Sequence, residues 1–202
     1  MATEIYFPKR LRLRDWIGCI LFLFAAVLSG LSAWETPSIP LWGTFLAVLN
    51  TFHNALLACL YLVRLPAQRS DNFGLALGLT AALLPAFAGT SLAPISPLWT
   101  IVGVTGELFA LWSLATLGKR FGIAPADRGL IESGPYRLVR HPMYLGELIL
   151  RLALAVGSPE ALIWLPFMLS LQILRAVREE RILSGYAAYA QTVRWRLIPF
   201  IF

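Results

Sequence analysis

Charged residues are scarce in this chain of 202 residues: they make up 14% of it, against 58% for apolar residues. A soluble domain carries about 25% charged residues, so this chain lacks the charges to cover a water-facing surface. Its mean hydropathy of +0.70 also excludes a disordered chain. The sequence therefore predicts an integral membrane protein, and its apolar runs leave no room for a separate soluble catalytic domain.

Cysteine and histidine are equally rare, with two residues of each. Cys19 and Cys59 both lie in apolar runs, which favours small buried side chains over a disulfide framework. His53 and His141 stand far apart without a Cys/His cluster around them, so we predict no metal site. In a membrane protein, the location of the excess positive charge of +6 indicates the orientation of the helices. We therefore expect no nucleic-acid partner.

Uncharged runs of about 20 residues predict transmembrane helices. After four such runs, a helical hairpin is expected, in which 143–156 and 160–183 are joined by a turn at Gly157-Ser158-Pro159. The first helix of this hairpin is short for a complete crossing. The predicted fold is all-α, with four full transmembrane helices plus the hairpin (five to six spans), and the four full spans are expected at 16–34, 41–63, 73–91 and 98–118.

Basic residues are distributed unevenly between the two sides of the predicted bundle. The connections 35–40, 91–97 and 157–160 contain no Lys or Arg, whereas the opposite segments hold all of them except Arg151. Cytoplasmic loops of membrane proteins carry the excess of Lys and Arg. Both termini are therefore predicted to lie in the cytoplasm.

Polar side chains at membrane depth are candidates for function. Asn50, His53 and Asn54 are spaced to share one face of the second span. They are expected either to join helices by hydrogen bonds or to line a substrate path. Glu107 in the fourth span has the same two interpretations, since it can border a polar cavity or bond a neighbouring helix.

The densest motif runs from Gly134 to Gly146 and reads GPYRLVRHPMYLG. It combines a Gly-Pro turn, a cationic patch that includes His141, and a helix start at Pro142, where proline is tolerated. A helix N-terminus favours anionic groups, and Tyr136 and Tyr144 offer rings to a heteroaromatic ligand. The motif predicts a site at the membrane surface for a small ligand with an acidic group and a ring. The alternative is a basic loop that faces anionic lipid headgroups.

A second charged motif, Arg175-Ala-Val-Arg-Glu-Glu-Arg, lies at the end of the last apolar run. Arg175 and Glu179 are four residues apart and share a helix face. Glu179 and Glu180 suit a cationic partner, and the alternative is a solvated run of charges.

These segments together resemble the isoprenylcysteine carboxyl methyltransferase family of integral membrane methyltransferases, and phospholipid N-methyltransferases are similar over the same region. The resemblance covers roughly residues 103–200. It depends on the order and spacing of the Gly134–Gly146 motif, the Glu-Glu pair, Tyr186-x-x-Tyr189 and the terminal Arg-Leu-Ile-Pro.

The resemblance implies an S-adenosylmethionine cofactor, bound on the cytoplasmic side by a methyltransferase core at 101–202, with transmembrane helices at 1–100. Glu179 would bind the amino group of the cofactor, and Arg175 would face a lipophilic acceptor. Arg175, Glu179 and Glu180 are the expected catalytic residues, and Asn50, His53 and Asn54 are expected to line the acceptor site with Arg175. The remaining residues that the resemblance places on the cofactor are Arg128, Gly129, Leu130, Ile131, Tyr136, His141, Pro142, Met143 and Tyr144.

The acceptor expected first is the carboxylate of a prenylated cysteine or a similar thioether carboxylate. A phospholipid amine is the second possibility, and it would need Glu179 or Glu180 as a base. The sequence also allows an NAD(P)H-dependent reductase of the sterol type, or a non-enzymatic lipid-binding or transport protein. The expected partners are the lipophilic substrate and membrane lipids, and the oligomeric state stays open.

Overall fold

The computed structural model describes residues 11–35, 40–87, 96–156 and 159–202. These residues form seven α-helices and two short 3-10 turns, with one pair of two-residue antiparallel strands, β1 and β2. The strands are β1 Arg69–Ser70 and β2 Ala126–Asp127, and the helices are α1 Leu13–Glu35, α2 Leu41–Val63, α3 Asn72–Phe87, α4 Pro97–Leu117, α5 Pro142–Val156, α6 Pro159–Ile182 and α7 Tyr186–Thr192.

Four of these helices are long and apolar enough to cross a membrane, which confirms a helical integral membrane protein. The apolar stretches lie at Leu13–Leu31, Leu41–Val63, Pro97–Arg120 and Ala161–Ile182. Many of their large apolar side chains are exposed, such as Ile20, Phe24, Val48 and Ile101. Exposure of this kind on long helices suits contact with lipid tails rather than with water.

The number of long apolar helices agrees with the prediction, but their identity differs in one place. The predicted third span at 73–91 is not among them within the described residues, where the apolar helix runs from Phe73 to Ala82. Residues 88–91 of that prediction lie outside the described part of the chain. The fourth long helix is α6, the second helix of the predicted hairpin, because its 24 residues extend about 36 Å at 1.5 Å per residue.

The hairpin helices begin and end within one residue of their predicted bounds. The first, α5, has 15 residues and extends about 22 Å, so it is short for a full crossing. It starts at Pro142, as the helix-start motif predicts. The predicted turn at Gly157-Ser158 lies outside the described residues, and the cytoplasmic location of the termini stays a prediction.

Glycines bring the backbones of α4 and α5 into contact. A Cβ atom at Gly146 would lie 2.6 Å from both the amide nitrogen of Ala110 and the carbonyl oxygen of Gly106. A Cβ at Gly106 would lie 2.8 Å from the carbonyl oxygen of Gly146. Small residues permit such backbone contact between membrane helices, and here they set the position of the whole 134–146 motif relative to α4.

A buried ion pair joins α1 and α2 at the end of the bundle where the basic residues gather. Arg64 donates to Asp15 from Nε at 2.8 Å and from Nη2 at 2.7 Å. The Arg64 guanidinium also lies 4.0 Å above the ring centre of Tyr61, whose hydroxyl accepts a hydrogen bond from the amide of Ile123. These contacts attach the segment after α4 to the ends of α1 and α2.

The glycine contact leads to a stability prediction. Gly146→Ala should lower the free energy of unfolding by about 1–3 kcal/mol, because its methyl group collides with backbone rather than with a flexible side chain. Gly30→Ala is the matched control, since a Cβ there would meet only the Thr51 hydroxyl at 4.0 Å. Thermal unfolding of the three proteins in one detergent measures the difference. Equal losses in both variants would contradict this account of the helix contact.

Candidate active site

A cavity of about 680 Å³, partly open to solvent, lies at the basic end of the bundle. Its walls come from the segment after α4, the start of α5, the end of α6 and α7. Of the ten predicted cofactor residues, nine line it: Arg128, Gly129, Leu130, Ile131, Tyr136, His141, Met143, Tyr144 and Glu179. Pro142 does not line it, because this residue is fully buried as the first residue of α5.

Asp127 holds the loop that forms one wall of this cavity. Its carboxylate accepts hydrogen bonds from the hydroxyl and amide of Ser184, at 2.6 and 3.1 Å, and from the amide of Gly129. The hydrogen bond from Ser184 lowers the pKa of Asp127, despite its burial. Gly129 has a φ of +91°, which favours glycine. The loop is therefore fixed to the end of α6, next to Glu179.

Cationic side chains also line the cavity. Arg128 donates from Nε to the carbonyl oxygen of Leu65 at 3.0 Å, so it is held by the connection between α2 and α3. Burial, together with the nearby charge of Arg64, lowers the pKa of Arg128 to about 10, and the side chain keeps its charge at neutral pH. Arg120 and Arg140 also line the cavity. These arginines suit a carboxylate or another anionic group of a ligand.

Glu179 supplies the negative charge in the cavity. Its carboxylate accepts a hydrogen bond from the hydroxyl of Tyr144 at 3.0 Å, and it lies 3.6 Å from Nδ1 of His141. Its side chain is 26% exposed, so one face is free to meet a ligand. An ammonium or sulfonium group is the natural partner for a carboxylate at this depth.

Glu180 points away from the cavity, although it is next to Glu179 in sequence. It accepts hydrogen bonds from Tyr186 at 2.6 Å, from Arg196 at 2.7 Å and from Nε2 of His141 at 3.2 Å. Arg140 is 3.7 Å away. These contacts favour a role in holding the C-terminal segment over that of a base toward the substrate.

His141 lies between the two glutamates and stacks on the ring of Tyr144, with centroids 5.5 Å apart. Burial lowers the pKa of His141, but the hydrogen bonds to Glu179 and Glu180 outweigh it and raise the pKa. Both ring nitrogens face carboxylates. His141 thus positions Glu179. Because both of its nitrogens face carboxylates, the ring has no free nitrogen to direct at a ligand in the cavity.

The C-terminal segment closes the site through backbone contacts. The amides of Arg140 and His141 donate to the carbonyl oxygens of Trp195 and Arg196, at 2.9 and 3.0 Å. The hydroxyl of Tyr189 donates to the carbonyl oxygen of Tyr136 at 2.6 Å. Sequence reasoning treated the Tyr186-x-x-Tyr189 segment only as part of the resemblance, whereas both tyrosines line the cavity.

A second cavity of about 590 Å³ lies among the membrane helices. It brings together all four predicted acceptor residues: Asn50, His53, Asn54 and Arg175. Met143 lines both cavities, so the two are neighbours. Asn50 also accepts a hydrogen bond from Ser29 on α1 at 3.0 Å, so this helix face both joins helices and lines a cavity.

Arg175 is a buried cation between the two cavities. It is 4% exposed and donates from Nη1 to the side-chain oxygen of Gln172 at 2.8 Å, and its guanidinium lies 4.5 Å above the ring of Tyr144. Gln172 in turn donates to Glu147. The Nε of Arg175 has no hydrogen-bond partner among the described residues. A buried guanidinium with a free donor suits an anionic ligand group.

The sequence named His53 without a partner for it, and the structure provides one. Nδ1 of His53 lies 2.8 Å from Oε1 of Glu107. Both side chains are buried and line the second cavity. The two residues are 54 positions apart, and no spacing rule pairs side chains on different membrane helices.

The comparison with known families agrees with this arrangement. The geometry of a lipid-embedded cavity beside a polar one suits an enzyme that acts on a membrane-soluble molecule. Residues 97–190 match the model of the phospholipid methyltransferase family, and the family includes membrane methyltransferases of the isoprenylcysteine carboxyl methyltransferase type. The predicted resemblance is thereby confirmed, and the match indicates a membrane methyltransferase. No curated protein matches the chain.

The position of His141 leads to a prediction on pH. Because its pKa is raised by the two glutamates, His141 stabilises the folded protein fully below its unfolded value of 6.5, and this stabilisation is lost as pH rises through the raised pKa. The wild type should therefore melt at a higher temperature than His141→Gln at low pH, and this difference in melting temperature should shrink as pH rises above 6.5. A difference that stays constant over that range would contradict the charged state of His141.

Proposed function

We propose that the protein is an S-adenosylmethionine-dependent methyltransferase whose acceptor is a lipophilic molecule with a carboxylate. The carboxylate of a prenylated cysteine, or of a similar thioether, is the acceptor we expect first. The observation that carries the proposal is the pair of neighbouring cavities, with Glu179 in the polar one and Arg175 at the border of the membrane one. The family match supports methyl transfer over reduction or transport.

The first cavity fits the cofactor in charge and in the chemistry of its lining. S-adenosylmethionine supplies an activated methyl group on a sulfonium, together with an ammonium, a carboxylate and an adenine. Glu179 would hold the ammonium, and Arg128 with the other arginines of the cavity would hold the carboxylate. The aromatic and aliphatic side chains that remain, including Tyr136, Tyr186 and Leu130, would surround the ring.

The second cavity fits the acceptor. A carboxylate is ionised at neutral pH, so it needs orientation rather than a base. Arg175 has a free Nε at the border between the cavities and would hold this carboxylate with its second oxygen toward the methyl group. Glu180 is held by three hydrogen bonds, so it is poorly placed to act as a base. A nucleophile that is already ionised therefore suits the site better than an amine that must first lose a proton.

Methylation on the cytoplasmic side is the corresponding proposal for location. The first cavity lies at the bundle end where Arg64, Lys119, Arg120 and Arg181 gather. The positive-inside rule assigns this end to the cytoplasm, where S-adenosylmethionine is soluble and accessible.

Cofactor binding tests the first half of the proposal. Glu179→Gln should weaken binding of S-adenosylmethionine about 10- to 100-fold, because it removes a charge-assisted hydrogen bond of about 1.5–3 kcal/mol. Isothermal titration of the purified protein measures the affinity. Glu132→Gln is the matched control, since Glu132 is exposed and does not line the cavity. Equal affinities in the two variants would refute the role given to Glu179.

The product tests the second half. With methyl-labelled cofactor and N-acetyl-S-farnesylcysteine, the wild type should form a base-labile methyl ester, and Arg175→Met should lose most of this activity while it still binds S-adenosylhomocysteine. Label that appears instead in phosphatidylethanolamine, in a base-stable form, would establish the phospholipid amine as the acceptor. Unchanged ester formation by Arg175→Met would show that Arg175 does not orient the carboxylate.

A further inference from the structure

The deep end of the second cavity contains two polar atoms that the protein itself leaves without a hydrogen bond. His53 uses Nδ1 for its contact with Glu107, and its Nε2 has no partner among the described residues. Oε1 of Glu107 faces His53, and Oε2 has no partner there either. His53 is 5% exposed and Glu107 is not exposed at all.

Such atoms are rare in native proteins because the desolvation of an unpaired polar group is unfavourable. Here the two residues line the second cavity, and they lie on different helices, α2 and α4. The hydrogen bond between them uses Nδ1 of His53 and leaves Nε2 available. The arrangement therefore provides a donor or acceptor for a group that enters from the membrane.

The surroundings of this pair are polar rather than hydrocarbon-like. Asn50 and Asn54 of α2 and Glu147 and Arg151 of α5 line the same cavity. Asn50, Asn54 and Glu147 have partners within the protein, so a ligand with a plain hydrocarbon body would leave only the free atoms of His53 and Glu107 unpaired, at a cost in free energy. The cavity is thus built for a body that carries a polar group of its own.

The position of the pair along α5 follows from the glycine contact. Gly106, the neighbour of Glu107, packs against Gly146 and Ile149, which lie three and six residues after Met143, or about 5–9 Å along the helix axis. Arg175 lies at the end near Met143, beside Tyr144. An acceptor held by both anchors needs its two polar groups separated by about this length.

We propose that the His53–Glu107 pair is a second anchor for the acceptor, which binds an uncharged hydroxyl or similar group in the middle of its lipophilic body. Among lipophilic carboxylic acids, one with a polar group in the middle of its body then binds more tightly than one with a plain prenyl or fatty chain. This inference rests on the proposed function, since it assumes that the carboxylate lies at Arg175, and it deepens that function by naming the class of acceptor.

Binding of three fatty acids to the purified wild type, saturated with S-adenosylhomocysteine, tests the anchor. The probes are stearate, 2-hydroxystearate and 10-hydroxystearate, which share the carboxylate and chain length and differ only in the hydroxyl. The mid-chain hydroxyl acid should bind at least about tenfold more tightly than the other two. Equal affinities for the three probes would overturn the proposal.

Variants show whether the preference comes from this pair. The double variant His53→Phe/Glu107→Leu removes both unpaired atoms and should bind the three acids equally. His53→Gln, which keeps a side-chain amide, provides a second test if the double variant fails to fold. Thr105→Val on α4 is the matched control, because its exposed hydroxyl bonds to the carbonyl oxygen of Ile101, and it should keep the preference. If the preference for the mid-chain hydroxyl persists without His53 and Glu107, other residues cause it, and the proposal is overturned.

The result is separable from the fate of the proposed function. Binding of S-adenosylhomocysteine to each protein reports on the first cavity, and the hydroxyl preference, measured with and without S-adenosylhomocysteine, reports on the second. Absence of cofactor binding together with a clear preference would remove the methyltransferase and keep the anchor. Cofactor binding without a hydroxyl preference would keep the methyltransferase and overturn the anchor.

Discussion

The contact of His141 with two adjacent glutamates is the interaction on which the site depends. Consecutive residues on a helix point about 100° apart, so Glu179 can face the cavity while Glu180 faces the C-terminal segment. His141 neutralises part of both charges and joins the start of α5 to the end of α6. Without His141, two partly buried carboxylates side by side would repel each other and draw in water.

Around this contact the protein separates two environments that a membrane methyltransferase has to serve at once. The polar cavity is built from loops and helix ends, where backbone groups and arginines are available for a charged cofactor. The second cavity is built mostly from the surfaces of membrane helices, where the lipophilic acceptor of the proposal would bind. Met143 and the stacked pair of Tyr144 and Arg175 lie between them. Proximity of the two cavities is what methyl transfer between their ligands would require.

Most of the fold could be predicted because hydrophobic length and charge are local properties. The bounds of α2, α4, α5 and α6 follow from uncharged runs and from prolines at their starts. The third predicted span is described only in part: its helix runs from Asn72 to Phe87, and residues 88–91 lie outside the described part of the chain. The difference in length between the two hairpin helices follows from the sequence, because the turn at 157–159 leaves about 14 residues before it and 24 after it.

The site was predictable to the extent that its residues lie close in sequence. Nine of the ten residues predicted for a cofactor site come from short motifs, and they line one cavity. Asp127, which holds the loop, could not be predicted because a lone aspartate before an arginine carries no signal. Its partner Ser184 is 57 residues away, and only the folded chain brings the two together.

The amino-acid sequence by itself determined that this is a helical membrane protein with its polar chemistry gathered at one end, because composition and periodicity act within a single helix. Through a resemblance carried by the order and spacing of its motifs, it also predicted nine of the residues that line the first cavity. The tertiary structure alone decided which way neighbouring charges point, that His53 pairs with Glu107, and that Arg175 keeps a free donor beside two cavities. These features depend on contacts between helices far apart in the chain, and their geometry is set by packing rather than by local preference.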